Sequence, residues 1–177
     1  MISFDYRGEI ISIYGESGSG KTILMLDSAT KYKNSLYIST EGKEYQARVV
    51  SIPKINSTFS ESSSYSELAK EIVTASLVGY ELIIIDTINH LYRINRNYRE
   101  FSHILQIIKS FSISYGINFL LGWQVSMNYK VSGGKIMLFY SDKIFKIEKK
   151  FKNRRYIVTE DGNKYCFEIK VSTITGC

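Results

Sequence analysis

The stretch GESGSGKT, Gly15 to Thr22, decides the fold. It satisfies the pattern GxxxxGK[ST] and stands between EIISIY (Glu9 to Tyr14), an apolar β-branched run, and Ile23 to Lys33, whose apolar residues recur at helical spacing. A strand that ends in a glycine-rich turn and opens a helix is the context in which this pattern cradles phosphate. Glycines at 15, 18 and 20 let the backbone turn its N–H groups inward, and the helix N-terminus adds the positive end of a dipole. Gly15, Glu16, Ser17, Gly18, Ser19, Gly20, Lys21 and Thr22 are therefore candidate nucleotide-binding residues. The Lys21 ammonium suits the β and γ phosphates of a nucleoside triphosphate, and the Thr22 hydroxyl suits Mg²⁺.

Outward from this turn the chain alternates. SLYIST (Ser35 to Thr40) predicts a second strand, followed by a polar segment with a short helical turn. Residues Ser57 to Ser66 contain six serines and read as a surface loop without chemistry. SYSELAKEIVTASLVGY places Leu68, Ile72, Ala75 and Val78 on one helical side, with Ser64 or Ser66 as cap, and leads into a third strand, Glu81 to Asp86. A longer helix fits Tyr98 to Tyr115 and feeds a fourth strand, Ile117 to Trp123. This alternation implies an α/β fold with a mostly parallel central sheet and right-handed crossovers. After Gly133 and Gly134 the pattern becomes short antiparallel strands: Ile136 to Tyr140, Lys143 to Lys150, Arg155 to Glu160 and Lys164 to Val171, with Asp161-Gly162 turning the last pair.

Composition narrows the function classes. The 177 residues are 44% apolar and 23% charged with one proline, which excludes disordered and collagenous chains and fits a single domain over 1–177. The most apolar runs, Leu82 to Ile85 and Ile117 to Trp123, fall far short of the roughly 20 residues that cross a bilayer. MISFDYRGEI carries charge where a signal peptide needs a continuous apolar core. A cytoplasmic protein without membrane contact is expected, with Cys166 and Cys177 reduced. Charge is uneven: residues 130–170 hold 11 Lys/Arg against 5 Asp/Glu and so carry the whole net charge of +6. That segment serves either an anionic partner or plain solvation.

Several further residues have chemistry suited to the loop. ELIIID ends in Asp86, an acid placed at a strand terminus to stand beside Mg²⁺. Glu41 closes the second strand and reads either as a base that orients water or as a solvated cap. Gln124 follows the fourth strand with an amide able to sense a phosphate oxygen. Arg93, Arg96 and Arg99, interleaved with Tyr98, fit either single-stranded nucleic acid or an exposed helix start. His90 and His103 lack partners at metal-ligand spacing.

Taken together, GESGSGKT, YISTEG (Tyr37 to Gly42), IIIDTINHLYR (Ile83 to Arg93), GWQV (Gly122 to Val125) and the closing YSDKIFKIEKKFKNRRY and CFEI resemble, in order, the core of the RecA superfamily. Within it they are similar to the archaeal RadA recombinases and their short RadB-type paralogues. The resemblance covers roughly residues 8 to 176 and implies a RecA-like P-loop ATPase. It points to Glu41, Lys21 and Gln124 as catalytic residues and to Thr22 and Asp86 as Mg²⁺ ligands. Tyr45 and Arg48 fall where relatives place an adenine-stacking side chain, and read otherwise as exposed packing. Lys149, Lys150, Arg154 and Arg155 fall where oligomeric relatives supply a cation to a neighbour's nucleotide.

What the resemblance implies is a paralogue acting in homologous recombination and DNA repair, with weak ATP hydrolysis. Its partners would be single-stranded or duplex DNA, a RadA-type recombinase or further copies of itself. The alternative is a nucleotide-gated protein-interaction regulator resembling the KaiC family. Full strand exchange is not expected: about eight residues precede the first strand, so the N-terminal helical domain of RadA is not matched, and no Phe-x-x-Ala motif occurs. The two DNA loops are reduced to about Arg93 to Phe101 and Ser126 to Gly134.

Overall fold

Parallel strands cannot be joined by tight turns, so each needs a helical crossover, and the chain supplies one after nearly every strand. A computed structural model describes residues 2–50, 52, 55–150, 153–170 and 173–177. β1 (Ile10–Gly15) passes through the glycine-rich turn into α1 (Lys21–Ala29) and β2 (Ser35–Ser39). A 3₁₀ turn at Lys43–Tyr45, α2 (Gln46–Val49), β3 (Ser57–Glu61), α3 (Tyr65–Val78) and β4 (Leu82–Asp86) follow. Then come α4 (His90–Asn95), α5 (Tyr98–Tyr115), β5 (Asn118–Gln124), α6 (Gly134–Tyr140), β6 (Lys143–Lys149), β7 (Arg154–Val158), β8 (Lys164–Lys170) and β9 (Thr173–Gly176).

Among the described residues these strands form one sheet in the order β3-β2-β4-β5-β1-β6-β7-β8-β9. Pairing is parallel from β3 through β6 and antiparallel from β6 through β9. The carboxyl ends of the parallel strands thus share one edge, which carries Gly15, Ser39, Asp86, Gln124 and Lys149. Period-2 alternation sorts the core onto two faces. Ile10, Ile83, Ile85, Phe119, Leu121 and Trp123 pack under α3, α4 and α5. Ile11, Ile13, Leu82, Ile84 and Leu120 pack under α1, joined by Ile157 and Phe167 from the antiparallel strands.

Helix ends follow local chemistry. Ser64 Oγ accepts from Glu67 N at 3.2 Å and starts α3, while Asn97 Oδ1 accepts from Glu100 N at 3.2 Å and starts α5. Phe101, fully buried, stacks on Tyr92 at 4.9 Å and meets Trp123 edge-on at 5.7 Å, so one ring ties α4, α5 and β5 together.

Three expectations are corrected. The serine-rich segment is not a loop: Ser57–Glu61 is strand β3, paired in parallel with β2, and its Phe59 packs on Tyr37 and Tyr45. Ile136 to Tyr140 is helix α6, not a strand. Gly133, at φ 83°, opens it, and its carbonyl oxygen accepts from Ile136 N and Met137 N, both at 3.0 Å, local bonds that a strand does not make. A further strand, β9, pairs antiparallel with β8, and that pairing brings the cysteines together. Cys166 and Cys177 form a disulfide with Cα atoms 5.3 Å apart, where reduced thiols were expected. The last residue of the expected final strand, Val171, lies outside the described residues.

Phe101→Ala is expected to cost about 3–5 kcal/mol by urea denaturation, the range for a large buried ring. Leu77→Ala, on the exposed side of α3, is expected to stay within about 0.5 kcal/mol. Similar losses for both would contradict the packing described.

Candidate functional site

At the shared carboxyl edge, the loop between β1 and α1 faces the ends of β2, β4 and β5. Lys21, in the first turn of α1, is only 7% exposed. Its ammonium donates to the backbone oxygens of Gly15 at 2.7 Å and Glu16 at 2.9 Å. Burial holds its pKa below the usual lysine value, opposed by the nearby carboxylates of Asp86 and Glu41. Thr22 Oγ1 donates to Asp86 Oδ2 at 2.6 Å, and Tyr37 Oη donates to the same oxygen at 2.6 Å. That buried phenol is pushed well above the ordinary tyrosine value, by desolvation first and then by the Asp86 charge.

Beside this pair sits a second constellation. Thr40 N donates to Asp86 O at 3.0 Å, and Thr40 Oγ1 accepts from Thr87 N at 3.1 Å while donating to Thr87 O at 2.7 Å. The Asp86–Thr87 peptide is cis. Thr87 Oγ1 donates to Glu41 Oε1 at 2.6 Å, and Gln124 Nε2 donates to the same atom. His90 Nδ1 lies 3.9 Å from it. None of these contacts uses Glu41 Oε2. Fully buried Asn89 receives Gln124 N at 2.9 Å and donates through Nδ2 to Gln124 O at 3.0 Å and Ser132 O at 3.1 Å. The strand end is thereby fastened to the loop over 125–134.

The geometry brings Lys21, Thr22, Glu41, Asp86 and Gln124 into one cleft with Gly18, Gly20, Tyr45 and Arg48 on its walls. The residues fit a Mg-triphosphate. Space in front of Gly18 is open, Ser19 Oγ is buried without a partner among the described residues, and the hydroxyl–carboxylate pair of Thr22 and Asp86 is the hard-oxygen donor set that Mg²⁺ takes.

Other candidates are placed differently. Tyr45 is not a free stacking platform: it is 8% exposed, lies parallel to Phe59 at 5.5 Å and contacts Tyr37 at 5.3 Å, so an apolar cluster occupies its ring. Arg48 is exposed at the cleft wall. Arg96, at φ 55°, lies over the Tyr92 ring at 5.9 Å, with exposed Arg99 beyond it and half-buried Arg93 in α4. Lys149 and Lys150 are exposed in a separate cleft shared with Tyr129 and Glu16. Arg154 pairs with Glu168 at 3.5 Å, and Arg155 lies against its own chain's Gly20.

Sequence reasoning missed the roles of Thr40, Thr87, Asn89 and His90. Their spacing was visible, one after Ser39 and three within four residues of Asp86, but their role arises only when β2 and β4 lie side by side.

A family model described as an AAA domain matches residues 7–131, which holds the phosphate loop, Glu41, Asp86 and Gln124. The chain belongs to the AAA domain family. Membership brings the common chemistry of P-loop nucleoside triphosphatases, which take nucleotide and typically Mg²⁺. The core is RecA-like. A crystal structure of the RadB recombinase matches with a TM-score of 0.81 at 22% identity, covering 97% of this chain and 92% of that chain. A KaiC-like protein from the hyperthermophilic archaeon Pyrococcus horikoshii OT3 matches with a TM-score of 0.76 at 16% identity, covering 97% and 90%. At these identities the two structures speak to the fold. No curated protein matches the chain by sequence. Among the described residues of this AAA domain protein, no helix is long and apolar enough to cross a membrane.

Tyr37→Phe removes one of the two donors to the buried Asp86 oxygen. It is expected to destabilise the fold by about 1–3 kcal/mol, read from the shift in urea midpoint. An unchanged midpoint would show that the Tyr37 bond carries no stability.

Proposed function

We propose that the chain works as a single RecA-like ATPase core domain over 1–177 in the cytoplasm, hydrolyses ATP weakly with Mg²⁺, and couples nucleotide state to contact with DNA or a RadA-type recombinase in recombination and repair. The observation that carries this reading is the double engagement of Glu41 Oε1 by Thr87 Oγ1 and Gln124 Nε2, directly beside the Thr22–Asp86 pair. A carboxylate held by one oxygen keeps the other to take a proton.

In this mechanism the loop N–H groups and Lys21 hold the phosphates, and Lys21 exchanges its two carbonyl acceptors for stronger anionic ones. Thr22 and Asp86 would hold Mg²⁺, which when bound neutralises phosphate charge. Glu41 Oε2 accepts a proton from the attacking water as general base. Gln124, tied through Asn89 to Ser132, passes a change at the site to the loop over 125–134. Exposed Arg96, Arg99 and Tyr98 offer cations and a ring to nucleic acid. Lys149 and Lys150 stand free at the same sheet edge to reach a neighbouring copy's nucleotide, and dependence on that copy accounts for weak turnover.

Glu41→Gln is expected to retain ATP while phosphate release falls at least about 100-fold, the scale of a lost general base. Unchanged release would reject Glu41 as the base. Binding to single-stranded DNA should weaken steeply with salt, and the double variant Arg96→Ala, Arg99→Ala should flatten the log–log salt slope by about 1 to 1.5. Absence of DNA binding at low salt would overturn the repair reading and favour the nucleotide-gated protein-interaction regulator.

A further inference from the structure

Arg155 sits in β7, in register with Lys149 of β6 and Phe167 of β8. Its side chain does not stand off into solvent as its neighbour Arg154 does. A Cβ built on Gly20 would lie 3.1 Å from both Cδ and Nε of Arg155, and 2.8 Å from Cδ1 of Ile169. The stem and Nε of Arg155 therefore press on the residue immediately before Lys21, in the same chain. Gly20 is held at φ 100° and carries no side chain, so the approach is open only to glycine.

The guanidinium is poorly satisfied for so enclosed a place. Nη1 donates to Asn153 O at 2.8 Å, but Nε is shielded from solvent with no acceptor among the described residues. None of the ion pairs among the described residues includes Arg155, whereas Arg154 has Glu168. Burial alone moves its pKa, downward, with no acidic side chain to offset it. Folded proteins rarely leave a guanidinium N–H buried and unpaired, and a planar fork of donors next to a phosphate-binding turn matches the oxygens of a polyphosphate.

We propose that Arg155 is a cis contact to the phosphates of the nucleotide held by its own chain's Gly15–Thr22 loop, and not a cation delivered to a neighbouring subunit. The proposal rests on the nucleotide reading of that loop. The basic segment then divides in two, with Arg155 serving the nucleotide of its own chain while Lys149 and Lys150 face outward. The antiparallel strands also gain a place in the site, because β7 and β8 carry Arg155 and Ile169 against the loop.

The test is binding of a fluorescent ATP analogue with Mg²⁺ to the full chain, read by anisotropy at two protein concentrations, one at which sedimentation shows monomer. Arg155→Met keeps the stem that packs on Gly20, and Arg155→Lys keeps a charge. Thermal melting checks that both variants fold. Arg155→Met is expected to weaken binding about tenfold or more at both concentrations, the scale of a lost charge-assisted hydrogen bond, with Arg155→Lys in between. Wild-type affinity in Arg155→Met, or a loss seen only where subunits assemble, would overturn the cis assignment while leaving the loop's nucleotide reading intact. No binding by the wild-type chain would overturn both.

Discussion

One carboxylate oxygen, Asp86 Oδ2, accepts hydrogen bonds from Thr22 and Tyr37 and so joins α1, β2 and β4 at a single buried point. An aspartate that is 8% exposed is tolerated only where donors meet it, because an unpaired buried charge costs several kcal/mol. Two side chains from different elements supply those donors here. The loop cannot shift relative to the central strands without breaking this contact, and the phosphate-binding turn therefore has a fixed geometry against β4.

From that point the polar groups run laterally along the sheet edge. Thr40 and Thr87 bind each other's strands, Thr87 and Gln124 hold one oxygen of Glu41, and Asn89 holds Gln124 and Ser132. Every link uses a side chain at or just past the end of a parallel strand, where backbone pairing stops. In open α/β sheets that edge is where ligands bind, since the strands' apolar side chains are spent on the core and only the loops remain free. Through Asn89, the backbone of Gln124 and that of Ser132 share one side-chain anchor.

Much of this was legible in the sequence, for physical reasons. GESGSGKT announces its turn because glycine spacing and a flanking strand and helix leave little else for the chain to do. The apolar runs ending in Asp86 and Gln124 could be read as buried parallel strands, and Tyr98 to Tyr115 as a helix by its period. Three signals failed. Ser57–Glu61 is polar because it is an edge strand with little to bury, and composition mistook it for a loop. Ile136 to Tyr140, most of α6, form one unbroken apolar and aromatic run whose period is ambiguous until Gly133 sets the direction of the chain. Cys166 and Cys177 are neighbours only through the antiparallel return of β9, which a short polar strand scarcely advertises. At the site, Tyr45 had the right chemistry and position, but Phe59 took its ring, a competition that no spacing rule registers.

The decisive measurement is titration calorimetry of the full chain with ATP, with and without Mg²⁺. Saturable binding of one nucleotide per chain is expected, strengthened by Mg²⁺ and abolished in a folded Lys21→Ala variant. Equal heats from the wild type and that variant, or none from either, would contradict it.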